Sequence, residues 1–380
     1  MLNINFKPAV KALSFLLIFA ISHGSVLAQC VTAPANMINW WPADNNTFDI
    51  IGGNHGTLQN GAGFGAGKVA QAFSFDGVDD YVEVPNDPDA AFNFDGSFTI
   101  DAWIFLESTP LPAEFAPIVS KWDDVPEGVD NQRNYFLAAT NNGGLRLRCD
   151  VSSTGFFGPP NSTRVFSAVG VPLNTWTHTA CVFNAADSSV TLYINGQPAG
   201  AAGVFTSPIT DPFDNDRPIL IGAGDLGGFH RNFFDGLIDE VELFNRALTG
   251  TEIDSIFDAD ENGKTIPIVM DIKPGEDGPN PINRKSKGKV PVAILSTETF
   301  DATTVDVSSV VFAGAGVNVK PNGSFQASFE DVNADGLLDL VLHFNTQDLV
   351  LDDTSTEAIL TGTTDNGRCV SATDSVKIVH

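Results

Sequence analysis

Nine residues near the C-terminus combine residue types and spacing that suit a calcium ion. Oxygen atoms fall at alternate positions of this short stretch, from the side chains of Asp331, Asn333, Asp335 and Asp339 and from the carbonyl group of Leu337. Gly336 stands among them, where a sharp turn favours a residue without a side chain. Because Ca²⁺ prefers several oxygen ligands wrapped around it by one loop, the spacing predicts a calcium site over residues 331–339.

The residues that follow this loop decide which kind of calcium loop it is. EF-hand loops place a bidentate acid at position 12, but this chain has Leu342 there, between Leu340 and Phe344. That alternation predicts a strand, so the loop is similar to the short calcium loops of integrin-type propeller blades. Without the twelfth ligand we expect a dissociation constant of ~10⁻⁴ to 10⁻³ M. The alternative is an Asx-rich turn that binds no ion.

The N-terminus has the features of a secretion signal. Lys7 and Lys11 precede an apolar run over residues 12–21, and Val26 and Ala28 provide the small residues that a signal peptidase reads. The pattern predicts a signal peptide over residues 1–28 and a secreted protein, extracellular or periplasmic. Because the apolar run is too short to span a bilayer, we expect no membrane insertion.

The overall charge excludes two classes of partner. The chain has 47 acidic and 20 basic residues, for a formal net charge of −27. Nucleic acids and anionic lipid surfaces are both bound by a positive field on the protein. We therefore expect neither as a partner, and assign most of the carboxylates to solubility.

Four cysteines are available for disulfides in an exported protein. Cys30, Cys149, Cys181 and Cys369 allow three pairings. Cys149 and Cys181 both lie on predicted strands of one domain, which favours their pairing, but the spacing leaves the other pairings open.

Hydrophobic patterning divides the chain into two β domains. From residue 29 to residue 258, short apolar runs of period two alternate with Gly, Pro and Asn turns, which predicts an all-β sandwich. One of its strands, 144–149, alternates as a strand with one solvent-exposed face does. Thr249 and Glu252 form a capping box that predicts one helix at the end of this domain. We interpret residues 259–267 as a polar linker, and six apolar runs over residues 268–380 predict a smaller β-sandwich.

Five motifs of the first domain occur in an order and spacing typical of one family. They are Phe73–Val82, Phe98–Trp103, Trp176–His178, Leu192–Gly196 and Ile238–Leu248. These motifs resemble laminin G-like, concanavalin A-like jelly-roll domains of secreted bacterial proteins. The resemblance implies two antiparallel sheets in a jelly roll, and binding or adhesion more often than catalysis. It also implies a structural calcium ion near the first strands and the start of the last one, held by Asp44, Asp49 and Asp239, with Asp76 as a weaker candidate.

The second domain also has a familiar pattern. Residues 271–275, residues 290–295 and the loop over residues 331–339 together resemble a module that recurs at the C-termini of exported bacterial proteins. This resemblance implies a β fold with a calcium loop and no particular activity.

The acidic residues near Ile238 raise the question of catalysis. Asp239 alternates with apolar residues, so its carboxylate lies either on a buried face with a partner or at the exposed start of a strand. Glu240 and Glu242 have the spacing of paired glycosidase carboxylates. The Glu-x-Asp-x-Glu pattern is missing, however, and we expect both on a solvent-exposed face. The sequence contains no other catalytic motif, which favours a protein that is not an enzyme.

Aromatic residues on loops are candidates for stacking on sugar rings. Trp122 and the Gly155–Gly158 loop with Phe156 and Phe157 are the candidates here. The sequence as a whole predicts a secreted, calcium-binding recognition or adhesion protein that binds a glycan or a cell-surface protein through its jelly roll. The alternatives are a carbohydrate-active enzyme or its ancillary subunit, and a structural envelope or matrix protein.

Overall fold

The computed structural model describes residues 30–86, 92–111, 114–123, 132–160, 162–207, 209–226, 229–276 and 278–380. The predicted signal peptide, residues 1–28, lies outside this part of the chain. Within the described residues the chain is almost entirely β-strand, which confirms the predicted all-β class. No helix among them is long and apolar enough to cross a membrane.

Eighteen strands form a first unit between Met37 and Phe244. They are β1 (Met37–Trp41), β2 (Thr57–Gln59), β3 (Gly63–Ala66), β4 (Gln71–Asp76), β5 (Tyr81–Val84), β6 (Phe98–Leu106), β7 (Phe115–Asp123), β8 (Gln132–Asn141), β9 (Leu145–Gly155), β10 (Ser162–Gly170), β11 (Thr177–Asn184), β12 (Ser189–Ile194), β13 (Gln197–Pro198), β14 (Gly203–Val204), β15 (Ile219–Ile221), β16 (Gly224–Leu226), β17 (Phe229–Arg231) and β18 (Asp235–Phe244).

These strands pair into two nine-stranded sheets. Sheet I has the order β13-β12-β11-β6-β18-β4-β3, with β1 also paired to β18 and β14 to β12. Sheet II has the order β10-β9-β8-β7-β15-β5-β2, with β16 also paired to β7 and β17 to β16. The pairs are antiparallel except for β16 with β7, and they combine hairpins such as β7-β8 with pairs distant in sequence such as β18-β6, as in the predicted jelly roll.

The core of the first unit lies between the inner faces of the two sheets. Ile100 and Ile104 of sheet I and Leu137 of sheet II are fully buried in one hydrophobic cluster. Cys149 on β9 and Cys181 on β11 form a disulfide that joins the two sheets through this core. The favoured cysteine pairing is therefore confirmed.

A β-bulge in β18 decides which residues face the core. The register between β18 and β6 shifts between Asp239 and Glu242, and Glu240 has a φ of 52°. The extra residue turns Val241 and Leu243 toward the core, while Asp239 and Glu242 point to the outer face of sheet I. Of the two alternatives for Asp239, a buried carboxylate with a partner is the one the structure shows, although the residue lies on the outer face of the sheet, which other elements cover.

One helix, α1 (Gly250–Asp258), covers part of the outer face of sheet I. Glu252 N donates to Thr249 Oγ1 at 3.3 Å, and Thr249 N donates to Glu252 Oε2 at 2.8 Å, which is the predicted capping box. Ile253 and Ile256 pack on Phe244 of β18. The helix therefore begins at a sequence-encoded cap and is held by its apolar side.

Ten strands form a second unit. They are β19 (Ile266–Pro267), β20 (Val269–Ile272), β21 (Asn280–Asn283), β22 (Lys289–Leu295), β23 (Val311–Phe312), β24 (Ala315–Gly316), β25 (Ala327–Glu330), β26 (Asp339–Asn345), β27 (Glu357–Thr363) and β28 (Cys369–Val379). Single 3₁₀ turns lie at Asp260–Asn262, Ala302–Thr304, Val307–Ser309 and Thr346–Asp348. Sheet III has the order β19-β28-β27-β23-β24, with β21 beside β28, and sheet IV has the order β20-β22-β26-β25. Val292, Leu342 and Leu360 belong to the core of this second sandwich.

The two units are joined by more than the chain that connects them. Cys30, before the first strand, forms a disulfide with Cys369 at the start of β28. Lys264, in the segment predicted as a polar linker, is only 2 % exposed. The second unit and this segment together cover the outer face of sheet I beside Trp40, and this contact decides the surroundings of several predicted site residues.

Candidate functional site

An open groove of about 570 Å³ lies at one end of the jelly roll. Three connections form it: the turn after β4, the loop between β6 and β7, and the loop between β17 and β18. Its polar and apolar lining includes Asp76, Glu114, Asn232, Asp235, Leu111, Phe115 and Phe233. A groove that mixes carboxylates, an amide and apolar side chains can bind a ligand with both hydroxyl groups and an apolar face.

Specific contacts hold the three connections together. Gly77 has a φ of 74°, and a Cβ at this position would lie 2.7 Å from Cβ of Asp235, so only glycine allows the β4 turn to approach β18 this closely. Asp235 O accepts a hydrogen bond from Glu107 N at 2.9 Å, which ties the loop after β6 to β18. Asn232 Nδ2 donates to Glu114 Oε2 at 2.5 Å. The groove is therefore formed before any ligand arrives.

An acidic group lies beside the groove. Carboxylate oxygens of Asp76, Asp79 and Asp80 lie within 4.8 Å of one another, and among the described residues no other three acidic, histidine or cysteine side chains do so. Asp80 is buried and accepts hydrogen bonds from Gly61 N at 2.6 Å and Asp76 N at 3.1 Å. Asp76 also stands directly opposite Asp235 in the sheet. Like charges at these positions repel, and a bound cation would relieve the repulsion.

A layer of arginine and aromatic side chains covers the outer face of sheet II and reaches the groove through Phe115. We call it the arginine–aromatic layer, and its members are Phe115, Trp122, Phe136, Phe157, Arg148 and Arg164. The Arg148 guanidinium lies 5.1 Å from the Phe115 ring and 5.0 Å from the Phe136 ring. Cation–π contacts of this kind stabilise each partner against the other.

A buried carboxylate neutralises both arginines of this layer. Asp150 is fully buried, and Arg148 and Arg164 both donate to it, the latter through Nη2 at 2.7 Å. Arg148 is 9 % exposed, so the prediction of a solvent-exposed face on strand 144–149 is wrong. The alternation was real, but aromatic residues from neighbouring strands cover the polar side of the strand.

The predicted sugar-stacking residues come together in this layer, but not all as platforms. Trp122 lies within β7 and is 4 % exposed, so the interpretation of Trp122 as a loop aromatic is wrong. Its ring meets the Phe157 ring at a centroid distance of 6.4 Å. Phe156 and Phe157, in the connection after β9, are 43 % and 37 % exposed and remain available for stacking.

The structure does not assemble Asp44, Asp49 and Asp239 into one cation site. Asp49 is fully buried, and its carboxylate accepts hydrogen bonds from backbone NH groups at 2.9–3.1 Å, including those of Trp40 and Gly52. Asp239 Oδ2 accepts from Lys68 N at 2.8 Å and from Val69 N at 2.9 Å. Both carboxylates therefore serve to hold loops in place.

A guanidinium group lies against Asp44, one of the carboxylates that the resemblance assigns to calcium. Arg368, from the turn between β27 and β28, lies 3.4 Å from Asp44 Oδ2 through Nε and donates to Glu240 through Nη1. Lys264 Nζ lies 3.1 Å from Glu240 Oε2 and also pairs with Glu242. We call these residues and Asp239 the ion cluster. Since its carboxylates already face two protein cations, they do not fit a calcium ion.

Burial sets the protonation of the ion cluster. It raises the pKa of Asp44 to about 6, with Arg368 opposing the rise. It also raises the pKa values of Asp239 and Glu242 well above their usual range. Burial acts on Glu240 in the same direction, but Arg368 and Lys264 outweigh it and lower the pKa of that carboxyl group. Burial and the two cations therefore act in opposite directions on the pKa values of these carboxyl groups, and the cations prevail at Glu240.

These contacts correct the expectation for Glu240 and Glu242. Both are buried, at 1 % and 0 % exposed, and lie against Lys264 rather than solvent. The β-bulge brings them to one face, and the second unit covers that face. A sugar substrate cannot reach these two carboxyl groups. Their contacts with Lys264 and Arg368 instead help to hold the two units together.

The predicted calcium loop over residues 331–339 is an exposed turn closed by its own hydrogen bonds. Asp331 accepts from Asp335 N at 3.1 Å and from Gly336 N at 3.0 Å, and Gly336 has a φ of 90°. Asp339 is buried, and its two oxygens accept from Ser296 N at 2.9 Å and Val332 N at 3.0 Å. Asp339 therefore anchors the loop to the second unit.

The other predicted ligands of this loop remain exposed. Asp331, Asn333, Asp335 and Leu337 all face solvent. Asn333 Oδ1 accepts from Asp335 N at 3.1 Å, and Asp335 Oδ1 accepts from Leu337 N at 2.8 Å. Each oxygen has a lone pair left for a cation, so the exposed part of the loop fits calcium while Asp339 has another role.

Residues 76–254 match the model of the concanavalin A-like lectin/glucanases superfamily. This region is a laminin G-like domain. It begins at Asp76 in the groove and extends into α1. No curated protein matches the chain.

Several solved structures are similar to part of this chain. Domain 4 of AbnA, a GH43 extracellular arabinanase from Geobacillus stearothermophilus in complex with arabinotriose, is 16% identical, with 60% of this chain and 98% of that chain covered and a TM-score of 0.43. The botulinum neurotoxin serotype G binding domain is 14% identical, with coverages of 58% and 50% and a TM-score of 0.43. The binding domain of Paraclostridial Mosquitocidal Protein 1 is 13% identical, with coverages of 90% and 87% and a TM-score of 0.46.

Sequence reasoning missed the groove and the two cations of the ion cluster. Glu114 and Asn232 are 118 residues apart and meet only because their loops share one end of the laminin G-like domain. Arg368 and Lys264 are single basic residues without any motif. The acidic group was closer to detection, because Asp79 and Asp80 follow Asp76 within one of the family motifs.

Proposed function

We propose that the chain is a secreted, calcium-dependent recognition protein that binds a glycan in the groove of its laminin G-like domain. The observation that carries this proposal is the groove itself, whose wall includes Glu114 and Asn232. Asp76 belongs both to this wall and to the acidic group beside it. An adhesive role on a cell surface, through a glycan or a glycosylated protein, follows from the same binding. Catalysis is not needed for it.

The groove suits the chemistry of a sugar. A hydroxyl group donates to one carboxylate and accepts from an amide, and Glu114 and Asn232 provide this combination within 2.5 Å of each other. Phe233 and Leu111 provide apolar contacts for the ring face. The acidic lining around Asp76 and Asp235 disfavours a negatively charged glycan, so a neutral one fits best.

Removing a carboxylate from the groove is expected to weaken glycan binding. Glu114→Ala eliminates the side-chain acceptor but keeps the backbone contacts of residue 114, and we expect at least tenfold weaker binding because a hydrogen bond to a charged group contributes about 1.5–3 kcal/mol. Titration of the full chain with a glycan selected on an array measures this. Glu357→Ala removes an exposed carboxylate on β27 and should bind like the unchanged chain. Equal affinities of the two variants would contradict the assignment.

Calcium is expected to stabilise the second unit through the loop over residues 331–339. At a calcium concentration ten times the dissociation constant, binding contributes about 1.4 kcal/mol and raises the melting temperature by about 5 °C. Differential scanning calorimetry in calcium and in excess chelator measures the rise. Asp335→Ala should remove it, while Asp353→Ala, at an exposed acid outside the loop, should keep it. The same melting temperature in calcium and chelator would exclude the site.

A carbohydrate-active enzyme remains the alternative. Glu240 and Glu242 are buried in ion pairs, which supports binding over cleavage, since paired carboxylates must reach the glycosidic bond. Release of reducing ends from polysaccharides by the purified chain would favour the enzyme instead.

A further inference from the structure

A free strand edge lies at one side of the second unit. β25 is the last strand of sheet IV, and within the described residues it pairs only with β26. Gln326 O, at the start of this edge, accepts a hydrogen bond from His343 N of β26 at 3.2 Å. Because the N–H and C=O groups of successive residues point to opposite sides of a strand, those of Ala327 and Phe329 point away from β26. Another strand can pair with these backbone groups.

Exposed apolar side chains accompany this edge. Phe329 is 51 % exposed, and Leu338, its diagonal neighbour across β25 and β26, is also exposed. Val319 and Phe325, which pair with each other just before the strand, are exposed as well. Soluble proteins often protect an edge strand with a lysine or a proline, and β25 contains neither. An edge of this kind is typical of a surface that a partner strand covers.

The charges around the edge are divided between its two ends. At the start, Lys289 Nζ donates to Gln326 Oε1 at 2.5 Å, and Lys320 is exposed in the turn before the strand. At the other end, Glu330 and Asp331 are exposed. A second copy of the chain in antiparallel orientation brings its acidic end to the basic end of the first copy. A parallel orientation would bring like charges together, so charge complementarity selects the antiparallel one.

The backbone and the side chains agree on one register of pairing. When Ala327 of one copy lies opposite Phe329 of a second copy, the N–H and C=O groups that point away from β26 can form hydrogen bonds between the copies. The same register places Gln326, with Lys289 beside it, opposite Glu330 of the second copy. The two Phe329 rings then become diagonal neighbours on one face of the joined sheets, which is within reach of aromatic side chains.

We propose that the chain forms a two-fold symmetric dimer in which β25 pairs with β25 of a second copy. A two-fold interface uses the same patch on both copies, so association stops at the dimer. The strand is short and the interface is therefore small, which gives a weak dimer. The dimer requires neither calcium nor a glycan. It would carry two grooves, and so gain affinity for a glycan surface by binding at both.

The test is sedimentation equilibrium of the full chain over a series of concentrations, at low ionic strength and in excess chelator. We expect a monomer–dimer equilibrium without larger species. Phe329→Lys places a charge on the free edge and should weaken the dimer at least tenfold. Val269→Lys changes a residue that is 50 % exposed on β20, the opposite edge strand of the same sheet, and should leave the dimer unchanged. The melting temperatures of both variants show that the fold is kept.

Exchanging charges distinguishes pairing between copies from an effect within one copy. Lys289→Glu and Glu330→Lys should each weaken the dimer at least tenfold, because like charges then meet at both ends of the pair. An equimolar mixture of these two variants should associate about as tightly as the unchanged chain, since each end again joins opposite charges. No effect confined to a single copy produces this recovery.

Four results would overturn the proposal: a chain that stays monomeric up to about 1 mM, oligomers larger than a dimer, a dimer that Phe329→Lys leaves intact, or a mixture of the two charge variants that does not associate. Binding of a soluble glycan in the groove is measured separately. Phe329→Lys should not change it, so the dimer and the proposed function can fail independently.

Discussion

Replacing Arg368 by methionine is expected to lower the free energy of unfolding by about 3–5 kcal/mol. Methionine keeps much of the side-chain volume but removes the cation that faces Glu240 and Asp44. A buried carboxylate that loses its partner is left uncompensated in a medium of low dielectric, and losses of this size are typical. Denaturant unfolding at neutral pH, monitored by tryptophan fluorescence, measures the difference.

Two further variants show whether charge is the cause. Arg284→Met breaks an exposed pair, in which Arg284 Nη1 lies 3.2 Å from Asp353 Oδ1, and should cost less than about 1 kcal/mol. Glu240→Gln in the Arg368→Met background removes the carboxylate that has lost its cation, and should restore part of the lost free energy of unfolding. If Arg368→Met and Arg284→Met cost the same, the ion cluster does not hold the units together as described.

Asp44 is expected to make the stability of the chain fall as the pH rises from about 4 to 7. Burial raises its pKa from 3.8 to about 6 in the folded protein. Between these two values the unfolded chain releases a proton that the folded chain keeps, so the folded state is favoured at low pH and loses that advantage as Asp44 ionises. The shift of about two pKa units corresponds to about 3 kcal/mol.

Asp44→Asn isolates this contribution, because asparagine does not titrate. The free energy of unfolding of the unchanged chain minus that of Asp44→Asn should decrease by about 2 kcal/mol from pH 4 to pH 7. Urea unfolding at several pH values measures both curves. Parallel curves over this range would show that Asp44 is not buried beside Arg368 in solution.

Local signals in the sequence predicted the elements of the fold well. Asn195 and Gly196, at the end of the Leu192–Gly196 motif, form a turn with φ values of 50° and 75°, which this dipeptide tolerates, and the Thr249 capping box starts α1. Both depend on residues close in sequence. The laminin G-like motifs fixed the fold of the first unit because each one marks a strand with a fixed place in the two sheets.

The candidate sites could not be predicted in the same way. The bulge at Glu240 changes which face of the sheet Asp239 and its neighbours point to. No residue type in the sequence predicts such an insertion. The burial of Glu242 depends on Lys264 and the second unit, which cover a face that would otherwise meet solvent. Trp122 shows the same limit, because its neighbour Phe157 comes from another strand connection. Each outcome depends on contacts between segments far apart in the sequence.

The ion cluster and the groove lie in different parts of the molecule. Arg368 stands at the boundary between the two units and donates to Glu240. The groove with Glu114 lies at the loop end of the laminin G-like domain and is built without the second unit. Loss of the ion cluster should therefore weaken the contact between the units before it affects the groove.

The most direct test of the central claim is the retention of the full chain on an array of neutral glycans, in calcium and in excess chelator. The account predicts retention on a restricted set of glycans that chelator abolishes, because Asp76 and Asp79 would hold the cation beside the groove. It also predicts that Asp79→Ala loses this retention in the presence of calcium. Retention that is unaffected by both chelator and Asp79→Ala, or no retention on any glycan, would contradict the account.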